Sequence, residues 1–300
     1  MLKKKITSIG EILFDVYEDQ KTMGGAPFNF IYHVIKLTGN GNFISRIGND
    51  DLGEEIKHFF IKKNLAVDYL QIDEIHKTGV AKAVLDDRKI PTFTIEENRA
   101  YDFIETTDSL INLVKNDTDC LYFGSLAQRN EVSKGTIRKL FNLAPVKFCD
   151  LNLRQNFYSK DVIQQSLEAA NVVKLNSDEL QIVNKFFNNN NFSRIDSIES
   201  LINKFSIDLL CVTEGENGAM LVNNNYESDQ CKLKPDNVVD TVGAGDAYAA
   251  VLCVGYLNKH DFRTINKLAN EFAGEIIKVK GALPEDDEIY EKYKELLSNE

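Results

Sequence analysis

Short β-forming runs alternate with longer stretches of helical period along almost the whole chain, and few architectures accommodate that rhythm. A helix between two strands returns the chain to the same end of a sheet, so the strands pair in parallel and the helices cover both faces. The candidate strands are residues 5–9, 42–47, 120–124, 147–150, 172–175 and 209–213. Between them, residues 28–37, 52–63, 133–143, 161–169 and 177–187 carry apolar side chains three and four apart, as helices packed on a sheet do. Residues 244–257 and 262–279 supply two late helices. The expected class is therefore α/β, with a mostly parallel central sheet.

One segment breaks the alternation. Residues 78–85 and 92–95 are β-type runs joined by Asp86-Asp87-Arg88-Lys89, which predicts a hairpin outside the parallel sheet. The asparagine cluster at 188–191 has too little apolar area to bury and predicts a surface loop. No long linker or internal repeat divides the chain, so one domain over residues 1–300 with a small β excursion is expected.

Charge and composition exclude several classes of partner. Lys and Arg number 35 against 46 Asp and Glu, and the net charge of −11 repels nucleic acid and anionic lipid. No run of 18 apolar residues occurs, so no membrane span is expected; Lys3 to Lys5 do not begin a signal peptide, because Thr7, Ser8, Gly10 and Glu11 interrupt the apolar stretch that would follow. Cys120, Cys149, Cys211, Cys231 and Cys253 are odd in number and never in a C-x-x-C pair, which reads as reduced thiols in a cytoplasmic chain. The four histidines are scattered too widely to predict a zinc site.

The most specific string is Asp240-Thr241-Val242-Gly243-Ala244-Gly245-Asp246, followed by a long apolar stretch. Its two glycines permit a tight turn and close approach of backbone to ligand, and the helix that follows begins with unpaired amides. Amides of Gly243, Ala244, Gly245 and Asp246 would then form an anion hole, aided by the helix dipole. A carboxylate beside a phosphate repels it unless it has work to do, and general-base removal of a hydroxyl proton by Asp246 is such work. The alternative is an ordinary glycine-rich turn in which Asp246 caps the helix. The spacing matches neither G-x-x-x-x-G-K-[ST] nor G-x-G-x-x-G, since position 248 is Tyr.

With this string the sequence resembles the PfkB, or ribokinase-like, family of sugar and nucleoside kinases, whose C-terminal signature is D-T-x-G-A-G-D. Three further stretches resemble family signatures in the same order: Gly10-Glu11-Ile12-Leu13-Phe14-Asp15, Gly24-Gly25-Ala26-Pro27-Phe28-Asn29, and Arg46-Ile47-Gly48-Asn49-Asp50-Asp51-Leu52-Gly53. The resemblance covers nearly the whole chain. It implies a ribokinase-like three-layer α/β/α domain with a small β-sheet lid from about residues 11–24 and 78–104, whose closure would keep water from the transferred phosphoryl group. It also implies ATP-dependent phosphorylation of a primary hydroxyl of a small sugar.

Residue by residue, the resemblance assigns Asp246 as base and Asp15, Gly25 and Asn29 as sugar ligands. Asp15, placed at the end of the first strand, can accept bonds from neighbouring hydroxyls, Gly25 would allow close approach, and Asn29 both donates and accepts; without the resemblance, Asp15 reads equally as a turn residue and Asn29 as a first-turn helix position. Asn176-Ser177-Asp178-Glu179 resembles the family's N-x-x-E near Mg²⁺ and phosphates, with Glu179 acting through water; the same residues also suit a capping box. Thr213, Gly215 and Gly218 resemble the nucleotide loop, though a plain hairpin turn accounts for them too, and Asn270 and Ala273 resemble the segment bordering adenine. Asp240 is a candidate for a monovalent cation such as K⁺.

Asp150-Leu151-Asn152-Leu153-Arg154 resembles the D-x-N-x-R of fructokinases and 2-keto-3-deoxygluconate kinases. Arg154 either reaches substrate through its bidentate fork or forms an ion pair with the strand-end Asp. Ala26 and Pro27 are closer to fructokinase-like members than to ribokinases. Fructose is therefore the leading substrate; 2-keto-3-deoxygluconate, ribose, a nucleoside or a sugar phosphate, and a non-catalytic sugar-binding regulator, are the alternatives. An open lid edge would allow a homodimer.

Overall fold

Strand β1 (Ile6–Ile9) is buried along its whole length, and its neighbours decide where the chain turns from one half of the sheet to the other. From β1 the chain builds outward on one side through β4 (Asn42–Gly48) and β5 (Leu70–Asp73), then returns to the other side of β1 through β8 (Cys120–Phe123), β9 (Val146–Asp150), β10 (Val172–Asn176) and β11 (Leu209–Thr213). These seven strands are parallel, and β12 (Ala219–Asn223) and β13 (Ser228–Cys231) extend the edge by antiparallel pairing. The structure, a computed structural model, describes residues 4–298 apart from 18–19, 86–90, 188–192 and 233–236. The expected turn at 86–89 and asparagine loop at 188–191 lie outside the described residues.

Successive side chains of the strands serve opposite cores, as the two-residue period requires. Ile6, Tyr122, Phe148 and Val172 pack under α1 (Ala26–Thr38), α2 (Asp51–Lys62), α8 (Ala244–Leu257), α9 (Phe262–Ile276) and α10 (Glu288–Ser298). Ile9, Phe123, Cys149 and Val173 pack under α3 (Asp108–Asn116), α4 (Glu131–Phe141), α5 (Lys160–Ala169), α6 (Ser177–Phe187) and α7 (Arg194–Phe205). The result is a ribokinase-like three-layer α/β/α architecture. Every residue of α8 from Ala247 to Gly255 is buried, which explains its apolar sequence on all sides.

A second sheet stands apart, in the order β3 (Lys21–Gly24), β2 (Leu13–Val16), β6 (Gly79–Leu85), β7 (Pro91–Ile95). Asp15 belongs to this small sheet, in register with Thr22 and Ala81, not to the end of the first central strand as the sequence suggested. The chain leaves β1 at Gly10 and needs only three residues to cross between sheets, so one continuous β-like run conceals two strands. The late helix expected at 262–279 stops at Ile276.

The stretch around Asp50 joins these layers. Asp50 caps α2 by accepting from the Gly53 amide, and accepts as well from the amide and hydroxyl of Thr78, just before β6. Burial opposes its ionisation, but these hydrogen bonds outweigh it and hold the carboxyl below its ordinary range.

Among the described residues, no helix is long and apolar enough to cross a membrane.

Candidate active site

In open parallel sheets, ligands bind beyond the carboxyl ends of the strands, where the strand order reverses. Here that place lies beside β1, and a cavity of about 480 Å³ opens there. Its wall is collected from distant stretches: Glu11 after β1, Asp15 on β2, Gly25 and Asn29 at the start of α1, Asp150 at the end of β9 with Asn152 and Arg154 beyond it, Asn176 at the end of β10 with Glu179 beyond it, Thr213 at the end of β11, and Gly243, Gly245 and Asp246 at the start of α8.

The glycine turn opens α8 in a left-handed conformation. Gly243 precedes α8 with φ 80°, and a Cβ there would stand 2.4 Å from that of Ala282. The Ala247 amide donates to the Gly243 carbonyl and makes the first rung of the helix ladder, so the amides of Gly245 and Asp246 precede it. Asp246 does not cap the helix; its Oδ2 accepts from Asn29 Nδ2 at 2.8 Å. Burial pushes the Asp246 carboxyl up to about 6, with the Asn29 bond acting in the opposite sense.

Gly25 lines the cavity, but its own backbone explains its identity. At φ 114° a Cβ would lie 2.5 Å from the Glu11 carbonyl oxygen, so glycine lets α1 begin against the segment leaving β1. Asp15 lies on the same wall, and burial raises its carboxyl to about 6 against the pull of Arg154.

Of the two alternatives for Asp150 and Arg154, the ion pair between them is not formed. Asp150 Oδ2 accepts from Lys174 Nζ at 2.8 Å and from the Tyr122 hydroxyl at 3.1 Å, all three buried. Burial disfavours the Lys174 ammonium, yet Asp150 more than offsets it. Arg154 instead lies on the cavity wall, where its charge acts on Glu11, Asp15 and Asp246.

Asn176 and Glu179 form the helix start that their spacing also allowed. The Asn176 side chain accepts from the amides of Asp178 and Glu179, while Glu179 accepts from the amides of Asn176 and Leu153. Both Glu179 oxygens are thus engaged, and no group of three acidic, His or Cys side chains among the described residues could hold a metal directly. The donor set suits a cation that arrives with phosphate and meets Glu179 through water.

Asp240 accepts from the amides of Val242 and Gly281 and lines an adjoining cavity of about 930 Å³, which shares Asp15, Tyr17 and Val242 with the first. Gly215, Gly218, Asn270 and Ala273 are not on the wall of the first cavity. Asn270 donates to Asn266 behind Gly218, and Ala273 packs on the core.

Two charged wall residues, Lys174 and Glu11, were given no role by the sequence reading. Lys174 had a visible signal, a charge inside the apolar strand of Val172, Val173 and Leu175. Glu11 had none beyond its place in the Gly10 to Asp15 string.

The model of the pfkB family carbohydrate kinases matches residues 3–288. A fructokinase of Escherichia coli is 25% identical over 303 residues, covering 94% of this chain and 96% of that one. The crystal structure of an uncharacterized sugar kinase from Pyrococcus horikoshii superposes with a TM-score of 0.81 at 26% identity, covering 98% of this chain and 100% of the other. A fructokinase with bound ATP from Xylella fastidiosa has the same fold, with a TM-score of 0.84 at 19% identity over 99% and 100% of the two chains.

Proposed function

The chain belongs to the pfkB family and is a carbohydrate kinase, and from that premise we propose that it transfers the γ-phosphoryl group of ATP to a primary hydroxyl of a small neutral sugar, with fructose first among the candidates. The carrying observation is that one cavity holds a half-buried carboxyl, Asp246, beside the Gly243 turn, with Asp15, Asn29 and Arg154 on the same wall. Fructokinases among its relatives favour fructose, and the neighbour with bound ATP favours that nucleotide.

Asn29 engages one oxygen of Asp246, and the other accepts the proton of the sugar hydroxyl. The sugar oxygen then bonds to the γ-phosphorus as the bridge to the β-phosphate breaks and ADP leaves. Amides of Gly243, Gly245 and Asp246 bind the charge on the moving group, oriented before the reaction begins; the Ala244 amide, expected to join them, donates instead to the Thr241 carbonyl at 3.4 Å. Mg²⁺ bound with the nucleotide would neutralise phosphate charge, near Glu179 and through water. Thr213 and Asn176 border the phosphates, while Gly215, Gly218, Asn270 and Ala273 belong to the more distant nucleotide side. Asp240 and K⁺ form a separate part of this reading, tested by potassium dependence of turnover.

The small sheet is the lid of this reading. Among the described residues its outer strands β3 and β7 pair with no further strand, and a homodimer through them would be seen by sedimentation. A cytoplasmic location completes the proposal. The second reading is a sugar acid such as 2-keto-3-deoxygluconate, favoured by the Arg154 guanidinium on the wall. The test is sugar-dependent ADP formation by the purified protein across fructose, ribose, glucose and 2-keto-3-deoxygluconate. Turnover of fructose above the others supports the reading; turnover of the sugar acid alone replaces it with the second.

A further inference from the structure

Glu11 is a buried acid that the phosphoryl-transfer chemistry above does not use. The residue lines the cavity, only 3% of it is exposed, and Oε2 has no hydrogen-bond partner among the described residues. A buried carboxyl oxygen without a partner is costly, and one on a cavity wall calls for an explanation such as a functional role, a water or an ion. Its backbone cannot retreat, because Gly25 packs directly against the Glu11 carbonyl.

We infer that Glu11 is a substrate-binding residue whose Oε2 hydrogen-bonds an oxygen of the sugar at the inner end of the cavity, on the same wall as Asp15 and Asn29. The inference rests on the kinase reading above and deepens it by naming a further determinant of the acceptor. Five titratable groups from five other parts of the fold act on Glu11 or are acted on by it: Arg154 after β9, Asp246 on α8, Arg129 and Tyr101 in the short helical turns before α4 and α3, and Tyr122 on β8. Burial is the strongest influence and raises the carboxyl to about 7, so near neutral pH a large share is protonated and can donate to a sugar oxygen. An acid that donates beside Asp15, which accepts, gives the wall complementary polarity for a polyol. Ionised Glu11 would instead add a third negative charge beside Asp15 and Asp246 and disfavour a sugar acid.

Steady-state kinetics of wild type, Glu11→Gln and Glu11→Ala with the best wild-type sugar, from pH 6 to 9, test this. Glu11→Ala should raise the KM for sugar about tenfold, the scale of one lost hydrogen bond, with KM for ATP unchanged. Glu11→Gln, which can still donate, should recover most of that loss. Wild-type KM for sugar should climb above pH 7 while that of Glu11→Gln stays flat, a difference a purely structural role would not produce. An unchanged sugar KM in Glu11→Ala, or equal losses in both variants accompanied by a lower Tm and a raised KM for ATP, overturns the assignment. Wild type that turns over no sugar overturns the kinase reading first, and this proposal with it.

Discussion

The amide of Asn29 donates to the carboxylate of Asp246 at 2.8 Å across 217 residues of sequence. The start of α1 and the start of α8 therefore meet at one atom, and the residue expected to bind sugar also steers the residue expected to take its proton.

Asp246→Asn should lower turnover by roughly 10²–10⁴, the usual worth of a general base, with little change in nucleotide affinity. The amide cannot accept the proton but fills the same space. Single-turnover kinetics with a nucleotide-binding measurement checks both halves, and near-normal turnover would remove Asp246 from the chemistry.

A base must be ionised to act, so wild-type kcat/KM should rise with pH along an acid limb set by Asp246 near about 6. Asn29→Ala removes a bond that favours the ionised form, and that limb should move to higher pH. A pH–rate profile of the two proteins gives the answer; an unmoved limb would mean that Asn29 does not tune Asp246.

Lys174→Met should cost about 3–5 kcal/mol of stability, because it leaves the buried Asp150 carboxyl beside Tyr122 without its cation. Lys174→Met combined with Asp150→Asn should recover part of that loss. Urea unfolding of the single and double variants measures the coupling, and additive losses would contradict it.

Glu11→Gln should stabilise the protein at pH 8 but not at pH 4. The folded state holds the Glu11 proton more tightly than the unfolded chain, so this contribution is full below the unfolded pKa and is lost as pH rises through about 7. The difference reaches at most about 3 kcal/mol, from the size of the shift. Thermal unfolding from pH 4 to 8 follows it, and parallel curves would show that Glu11 is not held protonated.

Asp50 has the opposite sign. Its carboxyl is depressed, so the stability it supplies is present above the unfolded pKa and disappears as pH falls through the folded one. Asp50→Ala should cost about 2–4 kcal/mol at pH 7, the sum of a lost cap and lost charge-assisted bonds to Thr78. The gap to wild type should narrow at low pH, measured by urea unfolding at pH 7 and pH 3.

The sequence alone determined the parallel α/β class, the six candidate strands, most long helices and the glycine turn before α8, because each is a local pattern of period or backbone freedom. Shorter elements without a clear period escaped it. Strand β13 is polar at the sheet edge, and β2 and β3 are four-residue strands stabilised mainly by each other and by β6. Tertiary structure alone decided that Asp15 belongs to the small sheet, that Asp150 holds Lys174, that Asn29 reaches Asp246, and that Glu11 is buried on the cavity wall. Those contacts depend on which crossover brings which strand end beside β1, and charge in a string such as Gly10 to Asp15 carries no information about the dielectric or the partners it will meet after folding.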